Sequence, residues 1–172
     1  MTKSKDLLMS IQPKWVLRIC NKTKTIEVRK TKANLVPKFR IFVYCTKGPD
    51  DIFKEDVNRV SFGKSKERPV LNLNGKLVGH CTCTDIKEFP WDSEEKKYII
   101  SKEDLAQTNL TQEDLISYGK GKSLYGYVLG SFMMYCEPLP LNSLSQEKGE
   151  VKQPIIKAPQ SWCYTSGYTP PL

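Results

Sequence analysis

Apolar and polar positions along this chain recur with two different periods, and the change of period marks its elements. "LLMSIQ" (7–12) is a nearly continuous apolar run and predicts a short buried strand. In "PKWVLRICNKT", Trp15, Val16, Ile19 and Cys20 recur at helical spacing. Pro13 suits the first helical turn there, and Asn21 suits the left-handed position that ends a helix. "TIEVRK" returns to a period of two, with Ile26 and Val28 on one face and Thr25, Glu27 and Arg29 on the other. "KFRIFVYCTK" (38–47) predicts a strand with Phe39, Ile41, Val43 and Cys45 on one face, and "NGKLVGHCTCTDIKEF" opens on a turn signal and continues as a long strand.

The connecting segments are legible by their polarity. Residues 48–69 are polar and mixed in charge and predict an exposed excursion, and 90–97 ("PWDSEEKK") predict a loop. "SKED" (101–104) and "TQED" (111–114) match the pattern in which a Ser or Thr and an acid cap a helix start, so two short helices are expected before "YGKGK" (118–122). "YGYVLGSFMMYCEPLPL" reads as the last long strand, closed by Pro138 and Pro140. The proline-rich tail carries Trp162, Cys163 and Tyr164; it is expected to pack back up to Tyr164 and to be flexible over 165–172. This order predicts an α+β fold: a small barrel-like arrangement of mixed strands, an early helix, and two short helices before the last long strand. One domain spanning 1–172, with its core at about 6–164, accounts for the length of 172 residues.

Composition narrows the class. Charged residues make up 27% and hydrophobic ones 39%, which argues against both a disordered chain and a membrane protein. The longest apolar stretch, "YGYVLGSFMMYC", is too short for a spanning helix, and the N-terminus lacks the apolar core of a secretory signal, so a cytoplasmic protein is expected. Cysteines occur at 20, 45, 81, 83, 136 and 163, mostly within apolar runs, and no CxxC pair is present. Cys81 and Cys83 form a CxC beside His80, the only histidine, but a second ligand pair is missing; core cysteines and no metal are expected. There is no Walker loop, GxGxxG, GxSxG or HExxH, and no cofactor is implied.

Charge changes the picture more. Residues 1–68 hold 17 lysines and arginines against 7 acids, whereas the rest hold 10 against 12. A basic half suits a polyanionic partner such as nucleic acid, and equally a lysine-rich solvated surface. Candidate contacts are Lys24, Glu27 and Arg29, flanked by Lys22 and Lys30, with Lys120 and Lys122 of "YGKGK" able to meet a phosphate or simply to form a helix-to-strand turn. Trp15, Tyr44, Tyr125, Tyr127, Trp162 and Tyr164 can each stack a base or pack in a core. Glu27 and Arg29 form either an exposed pair of small energetic weight or the wall of a pocket; burial decides between them.

Four blocks carry a resemblance. "LLMSIQPKWVLRICNKTKTIEVRK" resembles the opening of an ASCH domain, a PUA-like family whose early signature is a helix followed by G-x-K-x-x-E-x-R; Asn21 and Lys22 stand at the glycine region, and Lys24, Glu27 and Arg29 follow in order. "NGKLVGHCTC", "LTQEDLISYGKGKSLYGYVL" and "PQSWCY" are similar to the phage and prophage branch of that family. The resemblance implies a PUA-like pseudo-barrel with a cleft beside the early helix, lined by Lys24, Glu27 and Arg29 and completed by aromatics such as Tyr127 and Trp162. The implied ligand is RNA, a nucleoside or a nucleotide. An enzymatic branch hydrolyses acylated cytidine nucleosides with a Lys, a Thr and a distant Glu. Lys24 matches that lysine, Glu27 stands at the threonine, and the region of the acid reads "AQTNLTQED" with Thr108 or Asn109 nearest. Some relatives are described as ribonucleases. Beside the binding role, the resemblance thus leaves two others: a hydrolase in which Lys24 and Glu27 act as acid and base, and a phage accessory adaptor with a host or phage protein partner.

Overall fold

The computed structural model describes residues 5–48 and 73–167. Strand β1 (Asp6–Ile11) leads into helix α1 (Pro13–Cys20), then β2 (Ile26–Arg29) and β3 (Phe39–Cys45). The 14-residue β4 (Lys76–Phe89) is followed by a small hairpin, β5 (Trp91–Asp92) and β6 (Lys97–Tyr98). Helices α2 (Lys102–Thr108) and α3 (Gln112–Gly119) come next, then β7 (Leu124–Leu129), β8 (Met133–Leu139), the hairpin β9 (Ser145–Lys148) and β10 (Val151–Pro154), and β11 (Trp162–Thr165). Apart from Gly48, the expected excursion at 48–69 lies outside the described residues, as do residues 168–172 of the tail.

The α+β fold forms with its early helix and two later short helices. Its main sheet runs β11-β1-β3-β4-β7-β2 and stays open among the described residues, with β11 and β2 at the two ends rather than paired into a closed barrel. β1 and β3 are parallel, because α1 and β2 intervene between them; the other pairings in the sheet are antiparallel.

β4 organises this sheet. Its first half, Lys76 to Cys83, pairs with β3 on one side and with β8 on the other, whereas its second half pairs with β7. The expected last long strand is therefore two strands. β7 ends at Leu129 and β8 starts at Met133, each on a different half of β4. A register shift between Cys83 and Asp85 marks the bend. Gly79 is required where β8 crosses: a Cβ there would collide with the backbone carbonyl of Met133 and the ring of Phe132.

Three apolar clusters explain the strand patterns. Leu7, Met9 and Ile11 face the largest cluster with Val16, Ile19, Ile41, Val43, Cys81 and Cys83, while Leu8 faces a second with Phe42, Leu77, Leu144 and Ile155. β1 is thus buried on both faces, which is why its apolar run does not alternate. The residues 144 and 155 that cover its far side flank the β9–β10 hairpin, whose exposed polar strands carry no periodic apolar signal. The third cluster, Ile26, Val28, Phe89, Tyr98, Leu115 and Leu124, packs one face of β2 and β7 against α2 and α3.

Local details follow the capping chemistry closely. Ser101 caps α2 by accepting from Asp104 N, and Thr111 and Asp114 form a reciprocal capping box at α3. Asn21 does not take the left-handed position after α1: its φ is −78°, and Lys22 takes it at φ 60°. "PWDSEEKK" is not only a loop, since its ends pair as β5 and β6. The tail packs as β11 against β1 and continues to Thr165, which is buried and donates to Ser145 O at 2.7 Å.

Cys45, Cys81 and Cys83 lie in the core, Cys20 and Cys163 are half-buried, and Cys136 is exposed. His80 points to the opposite face of β4 from Cys81 and Cys83, with its Nδ1 3.0 Å from the Tyr135 hydroxyl, and burial together with Arg40 pulls its pKa down. No group of three metal-ligating side chains occurs among the described residues, and no helix there is long and apolar enough to cross a membrane.

Burial pushes the thiols of Cys45 and Cys81 up to about 12. Above the ordinary thiol value the unfolded chain loses these protons while the fold retains them, so stability falls as pH rises from about 9 toward about 12. Urea unfolding between about pH 8 and about pH 10.5 is expected to show that fall, with a shallower slope in Cys45→Ala/Cys81→Ala.

Candidate functional site

β2 is where the two halves of the structure meet. Its period of two sends Ile26 and Val28 into the cluster beneath the helices and turns Glu27 and Arg29 to the opposite face. That face is not solvent. Glu27 is 4% exposed, Lys24 2%, and the Arg29 side chain 13%. The pair belongs to the wall of a cavity of about 410 Å³, a volume ordinary for a small-molecule site. Its lining comes from Ser10 of β1, Gln12 and Trp15 at the start of α1, the segment 24–29, Leu110 between the two later helices, Asp114 and Tyr118 of α3, Thr46, and Gln160 and Ser161 just before β11.

Within the wall Glu27 stands between two cations. Arg29 Nη2 lies 3.0 Å from Glu27 Oε1, and Lys24 Nζ lies 3.3 Å from Oε2. Each cation is also held by a backbone carbonyl. Lys24 Nζ donates to Thr108 O at 2.6 Å, at the C-terminal end of α2 where helix carbonyls favour positive charge, and Arg29 Nη2 donates to Ser10 O at 2.8 Å. Lys24 Nζ also sits 4.9 Å from the centre of the Trp15 ring. Burial pushes the Lys24 amine below its ordinary value, an effect that the Glu27 charge partly offsets.

Two buried atoms of this cluster accept or donate no hydrogen bond within the described residues: Glu27 Oε2 and Arg29 Nε. An unmet buried polar atom costs about 1–3 kcal/mol. Both atoms are closed off by the surrounding chain, and the neighbour of Oε2 is Lys24 Nζ at 3.3 Å.

The rest of the fold holds these groups in register. Thr25 N donates to Gln107 O at 3.0 Å, and Arg18 Nη1 donates to Asn109 Oδ1 at 2.9 Å, tying the turn after α1 to the end of α2. Ser10 bridges to the tail, its N donating to Ser161 O at 3.0 Å and its Oγ to Pro159 O at 2.6 Å. Asp114 keeps its carboxyl below the usual range because Thr111 N and Oγ1 donate to it.

Comparison with known proteins identifies the architecture. No family model matches the chain, and no curated protein matches it. Solved structures do: ASCH from Zymomonas mobilis at 16% identity, 92% of this chain and 86% of that chain, with a TM-score of 0.55. A Ser-to-Ala mutant of the same Zymomonas mobilis protein gives 14% identity over 95% of this chain and 90% of that chain, with a TM-score of 0.59. A Tyr-to-Phe mutant gives 16% identity over 94% and 90%, with a TM-score of 0.57. The chain has an ASCH fold.

In this ASCH fold the residues singled out from the sequence separate into three groups. Lys24, Glu27 and Arg29 come together in the cavity wall. Lys22 and Lys30 are exposed, and Lys30 Nζ lies 4.7 Å from the centre of the ring of Tyr118, which lines the cavity. Lys120, Lys122, Tyr127 and Trp162 are not among the lining residues. Lys120 takes the left-handed position that ends α3, and Lys122 lends its carbonyl to Tyr98, so both shape a turn. Tyr127 is fully buried next to Glu27 across β2 and β7, where its hydroxyl donates to Thr31 O at 2.9 Å and accepts from Ala33 N at 2.8 Å. Its ring is packed and open to no ligand; it steadies the loop after Arg29. Trp162 borders a separate cavity of about 420 Å³ with Lys5, Glu147 and Tyr164.

Trp15 and Tyr118 are the aromatics that line the cavity; Trp15 stood among the stacking candidates, whereas Tyr118 has no sequence signal beyond its place in a short helix. The segment "AQTNLTQED" does reach Lys24, but through the Thr108 carbonyl, while the Thr108 hydroxyl is turned to Leu105 O at 2.6 Å. The acid that segment supplies to the cavity wall is Asp114.

Glu27→Ala leaves two buried cations without their shared counter-charge and is expected to cost about 3–5 kcal/mol in urea unfolding. Replacing Lys24, Glu27 and Arg29 together by Met, Leu and Met is expected to recover most of that loss.

Proposed function

We propose that this protein is a single-domain, cytoplasmic RNA- or nucleotide-binding ASCH protein that holds a base or nucleoside in the cavity walled by Lys24, Glu27 and Arg29. The observation that carries this reading is the cavity of about 410 Å³ whose wall combines the buried charged cluster Lys24, Glu27 and Arg29 with Trp15 and Tyr118. Trp15 and Tyr118 supply aromatic faces for a planar ligand. The basic first part of the chain, including exposed Lys14 and Arg18 beside Trp15 and Lys30 beside Tyr118, suits the phosphates of a strand that carries the base.

A second reading, hydrolysis of a modified nucleoside or RNA, is favoured by one observation. The Lys24 amine is pushed down by burial and stands 3.3 Å from a carboxylate, the kind of pair that moves protons in acid–base catalysis. Glu27 at the place of the threonine leaves that reading without a nucleophile, so binding is preferred.

Fluorescence anisotropy with a short single-stranded RNA tests the binding reading. Affinity is expected to fall with salt at a log–log slope of about −0.7 per phosphate contacted, and Arg29→Ala to weaken binding about tenfold or more with its circular dichroism unchanged. A flat salt response, or indifference to Arg29→Ala, would count against it. Product formation that Lys24→Ala abolishes would decide for the hydrolase instead.

A further inference from the structure

We infer that the cavity takes an internal nucleotide of a single strand, whose backbone follows α3 with one phosphate beside Lys14 and Arg18 and the next beside Lys30, Lys120 and Lys122. This rests on the nucleotide-binding reading and names the ligand class of the same site: a single-stranded polynucleotide, as opposed to a free nucleoside or a mononucleotide.

The inference comes from where the cations stand around the two aromatic rings of the cavity. Lys14 Nζ lies 4.7 Å and the Arg18 guanidinium carbon 5.5 Å from the centre of the Trp15 ring. Lys14 is also close enough to Asp114, in the first turn of α3, for its charge to act on that carboxyl. Trp15 and its cations thus stand at the start of α3. Tyr118 is one turn further along, about 6 Å of helix rise from Asp114. Lys30 Nζ lies 4.7 Å from the centre of the Tyr118 ring. The pairing of β2 with β7 ends at Arg29–Tyr125, so Lys30 leaves the sheet beside Leu124, two residues from Lys122. Lys120 closes α3 two residues after Tyr118. A second group of cations therefore gathers at the end of the helix. All five of these basic side chains are exposed, and none enters an ion pair among the described residues.

The lining of the cavity is itself balanced, with Lys24 and Arg29 against Glu27 and Asp114. The surplus of cations stands outside it, in the two groups at the start and the end of α3. A neutral base and sugar suit the balanced space, and phosphates are drawn to its two sides. An internal nucleotide has that distribution of charge, because its sugar carries one phosphodiester on each side. A mononucleotide can meet one cation group only, and a nucleoside meets neither. Stacking on Trp15 or Tyr118 needs a base out of its own stack, which a single strand offers and a duplex does not. The same arrangement gives Lys120 and Lys122 a role although they are absent from the lining. Their main chain shapes the turn after α3, and their ammonium groups are left for a phosphate.

Isothermal titration of the full chain with the four nucleosides, their 5′-monophosphates and a mixed-sequence RNA trinucleotide without terminal phosphates tests this. The trinucleotide is expected to bind at least about tenfold more tightly than any monophosphate, with a log–log salt slope of about −1.4 for two phosphates. Lys120→Asn/Lys122→Gln is expected to bring that slope to about −0.7. Asn tolerates the left-handed backbone at position 120, so the variant removes charge without straining the turn. Lys148→Gln/Lys152→Gln, an equal loss of charge on the β9–β10 hairpin, is expected to leave the slope unchanged. A trinucleotide no tighter than the monophosphates would overturn the inference, as would a slope that both double variants change alike or that neither changes. Binding of nucleosides or monophosphates would in that case leave the base-holding reading standing. Absence of binding by every one of these ligands would overturn both.

Discussion

A carboxylate placed between two buried cations is the constraint around which this protein is arranged. Three charges on one short segment, Lys24, Glu27 and Arg29, have left water, and no single opposite charge balances them. The surplus positive charge is stabilised by backbone carbonyls drawn from elements distant in sequence: Thr108 at the end of α2 and Ser10 at the end of β1. Those two carbonyls define where β2 must lie. The same cluster stays incompletely satisfied, with Glu27 Oε2 and Arg29 Nε left without a hydrogen-bond partner among the described residues.

The strand topology makes this placement possible. β4 is long enough to serve β3 and β8 with one half and β7 with the other, so the sheet bends and β2 is carried to its far end across from α1. β2 then has helices α2 and α3 against its apolar face and the cavity on its polar face. The tail completes the enclosure. Its pairing as β11 with β1 brings Gln160 and Ser161 to the wall, and the hydroxyl of Tyr164 and the indole of Trp162 hold the 31–34 segment that Tyr127 also supports.

Much of this was legible from residue pattern. The strands at β1, β2, β3 and β4, the helix after Pro13 and both capping signatures are local signals, and local physics realises them. What was not legible depends on long-range packing. The division of the last long strand at 130–132 follows from the bend of β4, which no residue in that segment announces. The polar β9–β10 hairpin forms because Leu144 and Ile155 beside it find the uncovered face of β1 and β3. At the site, Lys24, Glu27 and Arg29 were legible because they share one short segment. Tyr127 and Trp162 lie outside the lining of this cavity, which the pattern does not reveal because an aromatic on a strand looks the same whether its face meets a ligand, a loop or another groove. Ser10, Asp114, Tyr118 and Ser161 join the wall through tertiary contacts alone.

The central claim is that the cavity walled by the Lys24–Glu27–Arg29 cluster receives a ligand. The Arg29 Nε–H resonance in a nitrogen–proton correlation spectrum, assigned by its loss in Arg29→Lys, reports on that directly. Adding a short single-stranded RNA is expected to shift this signal together with the Trp15 indole N–H while leaving the Trp162 indole N–H unmoved. Ligand binding that shifts Trp162 and leaves Arg29 Nε–H in place would contradict the account, because the occupied cavity would then be the one beneath the tail.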